Sequence, residues 1–466
     1  MRKYIIISLV LVCLASAGLL WAFADINGQQ DDITVKETSE GGKVEATKGI
    51  KVTTKIQDER YKLNWTTDMY LAGTKDIKTE TQFTYDRQGD IKLLDDITTK
   101  YCLMDSFSQH FIHLSTWDEE KAEVLGTGLP MKLAKDAYDA SGDEEEYQFY
   151  CNLDDYMDYL PITLDIKDDP YVMSRINLSY DIDHKLLDWT HYFRFPIPED
   201  FSYMVDVQKP ARLVDHEISL DFMAVSDKSF YYEVKSDGVW DGENLYLAVS
   251  GIENVADGNI LSNLPPDKKG IHVFPTKAQQ NVYLDLAQGK RVYQIDQDAQ
   301  VLCLRESENG DTLYLVTESP DGVMLEVVDK KTFACIQMLP LNQKVAGKEF
   351  NQFRFAGDHG IFLLFERGVF LLIEEKDGVY EEALTGNIGH IIEESCIDCD
   401  YDGERLVIAM IDWESNVIES QVRVFDKTGC LYRGRYDYTN SQYYYDEDDG
   451  GWGYEKRVYV EFTDEI

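Results

Sequence analysis

The chain has 466 residues, 44% of them hydrophobic, and carries 45 basic against 86 acidic side chains, for a net charge of −41 at pH 7. So acidic a surface repels phosphate backbones and anionic headgroups, which argues against nucleic acid and acidic lipid and leaves cations, basic proteins and neutral sugars. Its eight cysteines leave an odd seven beyond Cys13, so at least one is unpaired, and a chain of this length needs no disulfide scaffold of the small secreted kind.

From the N-terminus, Arg2 and Lys3 precede an uncharged stretch from Tyr4 to Ala24. A bilayer takes about 20 apolar residues, so this stretch is long enough to cross one, and its positive flank keeps the N-terminus inside. Ala22-Phe23-Ala24 also fits the small-x-small cleavage rule. Residues 1–24 are therefore a signal-anchor transmembrane helix or a signal peptide, and both place the body outside the cytoplasm, on the cell membrane or secreted. Cys13 follows Val12, not the small residue a lipoprotein needs. Residues 25–55 are polar and poor in aromatics, as in a linker. The body is expected over 56–466.

Within that body, Thr81–Gly89 parallels Gln421–Gly429, and strands read at Tyr101–Met104 and His110–Ser115. An irregular or inserted region follows at about 129–230. There the spacing predicts a helix over Leu129–Asp139, with Pro130 in its first turn. A second short helix is expected over Leu153–Leu160, stopped by Pro161, and the acidic run Asp143–Glu146 reads as a loop.

A turn followed by a strand then opens at Asp241-Gly242 and leads to Leu245. Three four-strand units come after it, at about 301–339, 350–386 and 394–436. Turns at Asn309-Gly310, Asp377-Gly378 and Asp402-Gly403 separate short apolar runs. Leu313, Ile361 and Leu406 hold the same place in each unit, so the steps are 48 and 45 residues. Strands apolar on both faces are covered only when sheets pack side by side. The repeat resembles β-propellers as a structural class. The expectation is an all-β fold, an irregular propeller of about six or seven blades with an inserted α/β-containing region, preceded by one N-terminal hydrophobic helix. A last strand, Arg457–Phe462, is expected to pair with an early one and close the set. The Tyr/Asp-rich stretch Tyr436–Tyr454 before it reads as a loop, with stacking on sugars as the alternative.

Few patterns carry chemistry. Asp398-x-Asp400-x-Asp402-Gly403 sets three carboxylates at alternate positions before a turn, a donor set suited to a hard cation. It resembles the opening of an EF-hand loop and the calcium loops of some propeller blades, such as those of integrin α subunits. It departs from both afterwards: Ala409 stands where the EF-hand has Glu, and Leu406 where the integrin-type loop has Asp. Calcium at Asp398, Asp400 and Asp402 is the one cofactor suggested, against an acidic β-turn as the plain alternative. Cys396-Ile397-Asp398-Cys399 lacks the strand-to-helix setting of a redox pair and reads as strand cysteines or a local disulfide. Cys303, Cys335 and Cys430 read as small core residues. His110 and His113 would point to opposite faces of a strand. No G-x-S-x-G, P-loop or G-x-G-x-x-G sequence occurs, so no catalytic residue is assigned. The expected role is a non-catalytic binding or scaffold protein of the cell surface that docks protein or glycan. The alternative is a hydrolase of surface glycans or peptides, with its site at a channel mouth.

Overall fold

Leu406 to Ile411 is an unbroken run of six apolar residues, and in the computed structural model all six are buried. Alternate residues of a strand face opposite ways, so burial of both faces needs a neighbour on each side. Leu406, Ile408 and Met410 pack with Phe362, Leu364, Phe370 and Leu372 of one adjacent sheet. Val407, Ala409 and Ile411 pack with Ile50, Val52, Met69 and Val460 of another.

The structure describes residues 14–21, 24, 28, 33–58, 63–85, 101–108, 113–114, 131–144, 146–156, 158–159, 163–167, 192–194, 197, 202–208, 219–224, 234–241, 243–251, 265–278, 282–284, 286–358, 360–389, 396–411, 418–439 and 454–464. Among them the strands form six antiparallel sheets, named A to F here. They fall into two compact units, residues 1–91 with 347–466, and residues 92–346.

The first unit holds sheets A, E and F. Sheet A orders Tyr454–Phe462, Ile50–Asp58, Leu63–Leu71 and Ile77–Tyr85. Its first strand comes from the C-terminal end and lies antiparallel to Ile50–Asp58, with Val460 opposite Val52 and Val458 opposite Thr54. The closing strand expected from the sequence is therefore present. Sheet E runs through Phe350–Ala356, Gly360–Phe365, Val369–Lys376 and Val379–Asn387. Its last hairpin turns on Asp377 and Gly378, at φ 52° and 78°, the paired positive values of a two-residue turn that an Asp-Gly sequence tolerates. Sheet F runs through Cys396–Tyr401, Leu406–Ile411, Glu419–Asp426 and Gly429–Thr439, and Thr34–Gly42 adds a fifth strand at its edge.

The second unit holds sheets B, C and D. Sheet D runs through Gln300–Glu306, Thr312–Ser319, Gly322–Asp329 and Cys335–Pro340. Sheet C carries Val234–Trp240, Asn244–Gly251, Gly270–Ala278 and Lys290–Tyr293, with further strands at both margins. Val239, Tyr246, Ala248 and Ile271 of sheet C share one core with Leu304, Leu313 and Leu315 of sheet D. Sheet B joins His113–Leu114, Ser219–Ala224, Ser202–Gln208 and Glu146–Asn152. A helix at Met131–Ser141 accompanies it, with Leu133 and Ala137 buried one turn apart.

The fold is thus all-β and built sheet by sheet, as an irregular β-propeller requires, with a helix-bearing region inside it. The three C-terminal repeats are sheets D, E and F, and the Asp241 copy is the second strand of sheet C. Leu245, Leu313, Ile361 and Leu406 are all buried in the second strand of their sheets.

Several expectations are corrected. Residues 25–55 are not wholly linker: Thr34–Gly42 and Ile50–Asp58 are strands. Lys51, Thr53 and Lys55 make the stretch polar on average, but Ile50, Val52, Thr54 and Ile56 alternate with them and are buried. Period two, not mean polarity, is the relevant signal. Among the described residues of the expected second helix, only a 3-10 turn at Leu153–Asp155 forms. Cys303 is buried as expected, but Cys335 and Cys430 lie exposed at the starts of the last strands of their repeats. Tyr436 and Tyr438 belong to a strand and are buried, while 440–453 lie outside the described residues. At the N-terminus residues 14–21 are helical, and no helix among the described residues is long and apolar enough to cross a membrane.

Candidate functional site

The three carboxylates of Asp398-x-Asp400-x-Asp402 do not point to one place. Asp398 and Asp400 are two apart in Cys396–Tyr401, so both leave the face of sheet F that meets sheet A. There the Oδ2 atoms of Asp398 and Asp400 accept the backbone N–H of Val460 at 2.8 Å and of Phe462 at 2.6 Å. Burial pushes the Asp398 carboxyl up to about 6, against the opposing pull of Val460 N–H and Arg354. Burial raises Asp400 as well. Asp402 has left the strand. Its Oδ1 accepts the N–H of Glu404 and Arg405, and its Oδ2 pairs with the Arg405 guanidinium at 2.8 Å. Arg405 then donates to the carbonyls of Ala46 and Lys48 and lies over the Phe462 ring. Among the described residues no three His, Cys, Asp or Glu side chains group as a metal ion would need. Cys396 and Cys399 are free thiols on opposite faces of the strand. His113 lies in a two-residue strand, and His110 is outside the described residues.

Sheet C repeats this plan at the seam with sheet D. Aligned on Leu245 and Leu406, Asp237 corresponds to Asp398 and Asp241 to Asp402. Asp237 Oδ2 accepts the backbone N–H of Leu304 at 2.9 Å and pairs with Arg305 at 2.5 Å. Asp241 caps its own turn through the N–H of Glu243 and Asn244 and pairs with Lys330 at 2.7 Å. Burial raises Asp237 despite Arg305, whereas for Asp241 burial is outweighed by Lys330 and the two amides, which hold it below the usual carboxylate range. Lys330 also pairs with buried Glu306 and stands over the Tyr246 ring at 4.7 Å. On the third strand of sheet D, buried Glu326 accepts Tyr293 OH at 2.5 Å and Thr317 OH at 3.1 Å, and burial raises its carboxyl. The sequence holds the signal for this correspondence, an Asp-x3-Asp-Gly spacing ahead of the repeat leucine. The 68 residues between Leu245 and Leu313, against 48 and 45 later, obscure it.

These groups hold one sheet's first strand to the next. Asp237, Asp398 and Asp400 direct oxygens at backbone amides of the adjoining sheet, Asp241 and Asp402 cap their own turns, and Glu326 accepts two hydroxyls. An open feature lies elsewhere in the first unit. A cleft of about 540 Å³ is lined by Val35, Lys36, Glu37 and Thr38 of the sheet F edge strand and by Lys75, Asp76 and Ile77 at the start of the last strand of sheet A. The edge strand bulges between Glu37 and Ser39, which breaks its register beside the cleft. Glu37 is anchored from behind: it accepts Tyr432 OH at 2.5 Å, and Tyr432 OH stands 2.7 Å from Tyr436 OH. Both tyrosines are buried. Two lysines, two acidic residues and a threonine thus line the cleft beside Val35 and Ile77, with Thr38 Oγ1 donating to the Arg435 carbonyl. None of these residues stands out in the sequence. Val35–Thr38 fall in the stretch that reads as linker, and Lys75–Ile77 match no motif.

No family model matches this sequence, and no curated protein matches it. Among solved structures, the chain is similar to a protein described as a 6-phosphogluconolactonase from Bacteroides fragilis, at 13% identity over 49% of this chain and 74% of that one, with a TM-score of 0.26. A periplasmic gluconolactonase from Pseudomonas aeruginosa is 12% identical over 51% and 65% of the two chains, with a TM-score of 0.26. A luciferin-regenerating enzyme is 11% identical over 88% and 96%, with a TM-score of 0.24. Likeness this distant assigns neither family nor activity, and the description of the fold rests on the sheets themselves.

Proposed function

We propose that the protein is a non-catalytic binding protein that works outside the cytoplasm, held at the membrane or released by processing of residues 1–24, and docks a protein or glycan. The observation that supports this best is the contrast between its two kinds of polar site. Buried Asp237, Asp398 and Asp400 are committed to the seams between sheets. The open cleft at Val35–Thr38 and Lys75–Ile77 is lined by residues of both charge signs, as a recognition surface is. The uncharged stretch behind Arg2 and Lys3 supports the location.

The test is capture of surface proteins and of an immobilised glycan panel by the full chain, alongside its Lys36→Ala/Lys75→Ala variant. A ligand whose affinity falls at least about tenfold in the variant supports the reading, since about 1.4 kcal/mol corresponds to that factor. Turnover of chromogenic glycosides with no ligand retained would replace it with the hydrolase. Intact-mass measurement of the native protein separates the anchored from the processed form.

A further inference from the structure

Arg423 and Arg433 are directly opposite each other across the last two strands of sheet F. Like charges in that position weaken a sheet. Arg423 leaves the same face as Phe425, which packs toward sheet E. Its Nη1 comes within 3.3 Å of where a Cβ on Gly389 would stand, so Gly389, at φ 79°, leaves the guanidinium its room. One Arg423 Nη donates to Gln421 Oε1 at 3.3 Å, and Arg433 Nε donates to Cys430 Sγ at 3.3 Å. Among the described residues no carboxylate pairs with either guanidinium. Burial together with the positive charge of Arg433 holds Arg423 below its ordinary pKa. Next to them Arg435 is neutralised by Glu419 at 2.6 Å. Acidic residues outnumber basic ones 86 to 45 in this chain, so two adjoining arginines without a carboxylate stand against its composition.

We propose that Arg423 and Arg433 together receive one small oxyanion, a sulfate or phosphate group. Guanidinium forks match such oxygens with paired hydrogen bonds, and two of them match a double negative charge. The anion would turn a repulsive cross-strand pair into a bridged one. The net charge of −41 restricts the ligand to a single group, because a polyanion would be repelled by the rest of the surface.

Isothermal titration of the full chain with inorganic sulfate and with inorganic phosphate tests this, at ionic strength held constant with chloride. A second arm uses a neutral sugar bearing one sulfate group. Saturable binding that weakens at least about tenfold in Arg433→Gln is expected, the loss of one charge-assisted fork. Tighter binding of the sulfated sugar makes the anion a handle on a larger ligand. Equal or tighter binding of the inorganic ion makes it the ligand itself. Arg433 is exposed, so its variant should fold and, in anion-free buffer, melt no lower than the parent. Absence of saturable binding would overturn the proposal. So would equal binding by the parent and by both Arg433→Gln and Arg423→Gln, or a lower melting point of Arg433→Gln with an unchanged anion response.

Discussion

At the scale of single residues, two buried titratable groups act oppositely on stability over the same acidic range. The Asp398 pKa is raised by burial to about 6, so its contribution is complete below its unfolded value near 4 and is lost as pH rises through 6. His272 is buried, and burial pushes it down to about 4. Its Nε2 stands 2.8 Å from the Lys268 carbonyl and must donate, so Nδ1 accepts from Tyr192 OH at 2.8 Å. The neutral ring is the bound form, and its contribution is complete above its unfolded value of about 6.5 and falls as pH drops toward 4. Asp398→Asn should therefore gain stability relative to the parent as pH rises from 4 to 6, measured by urea unfolding at several pH values. A difference independent of pH would refute the assignment. Tyr192→Phe should cost about 1–3 kcal/mol at pH 7, by leaving the buried Nδ1 without its donor.

Between elements, the recurring device is an aspartate on one sheet's first strand that accepts a backbone N–H from the first strand of the next. In sheet F that partner is the C-terminal strand Tyr454–Phe462, so Asp398 and Asp400 hold the chain's end in place. In sheet C the partner strand is Gln300–Glu306, and Arg305 adds its charge to the grip on Asp237. Arg305→Met would leave Asp237 charged and buried in the seam. A loss of about 3–5 kcal/mol is expected, partly restored by adding Asp237→Asn, which removes the stranded charge. Denaturant melts of the single and double variants give the coupling directly. If the double variant is no more stable than the single one, the pair contributes through packing alone. The repeat leucines, the Asp-Gly turns and the helix near 131–141 were legible in the sequence, because each depends on local periodicity or turn chemistry. The Asp237–Leu304 and Asp398–Val460 bonds were not, because each joins residues more than 60 positions apart.

For the molecule as a whole, charge dominates. An excess of 41 negative charges on one chain repels itself, and added salt screens that repulsion. Raising sodium chloride from about 10 to about 300 mM should raise the melting temperature by several degrees, since about 1 kcal/mol moves the midpoint of a large domain by roughly 2–4 °C. A midpoint that fell with salt would mean that ion pairs such as Asp237–Arg305 outweigh the self-repulsion. Ile50–Asp58 pairs with Tyr454–Phe462 in sheet A, so this sheet is completed only after that late strand is made, with residues 92–346 forming a unit of their own.

The amino-acid order alone determined that this is a repeated, antiparallel, all-β protein whose inner repeat strands are buried on both faces. It also determined where the turns fall and that the last strand returns to an early one. Those properties reside in spacings of two residues and in repeats of about 40 to 50, which a linear text preserves. Tertiary structure alone decided what the acidic residues do. Asp398 and Asp400 meet amides of a strand 62 residues away, Glu37 meets Tyr432, and two arginines meet each other. In a chain with 86 carboxylates, spacing cannot tell a latch from a ligand, because what decides is which partner the packed sheets bring within about 3 Å.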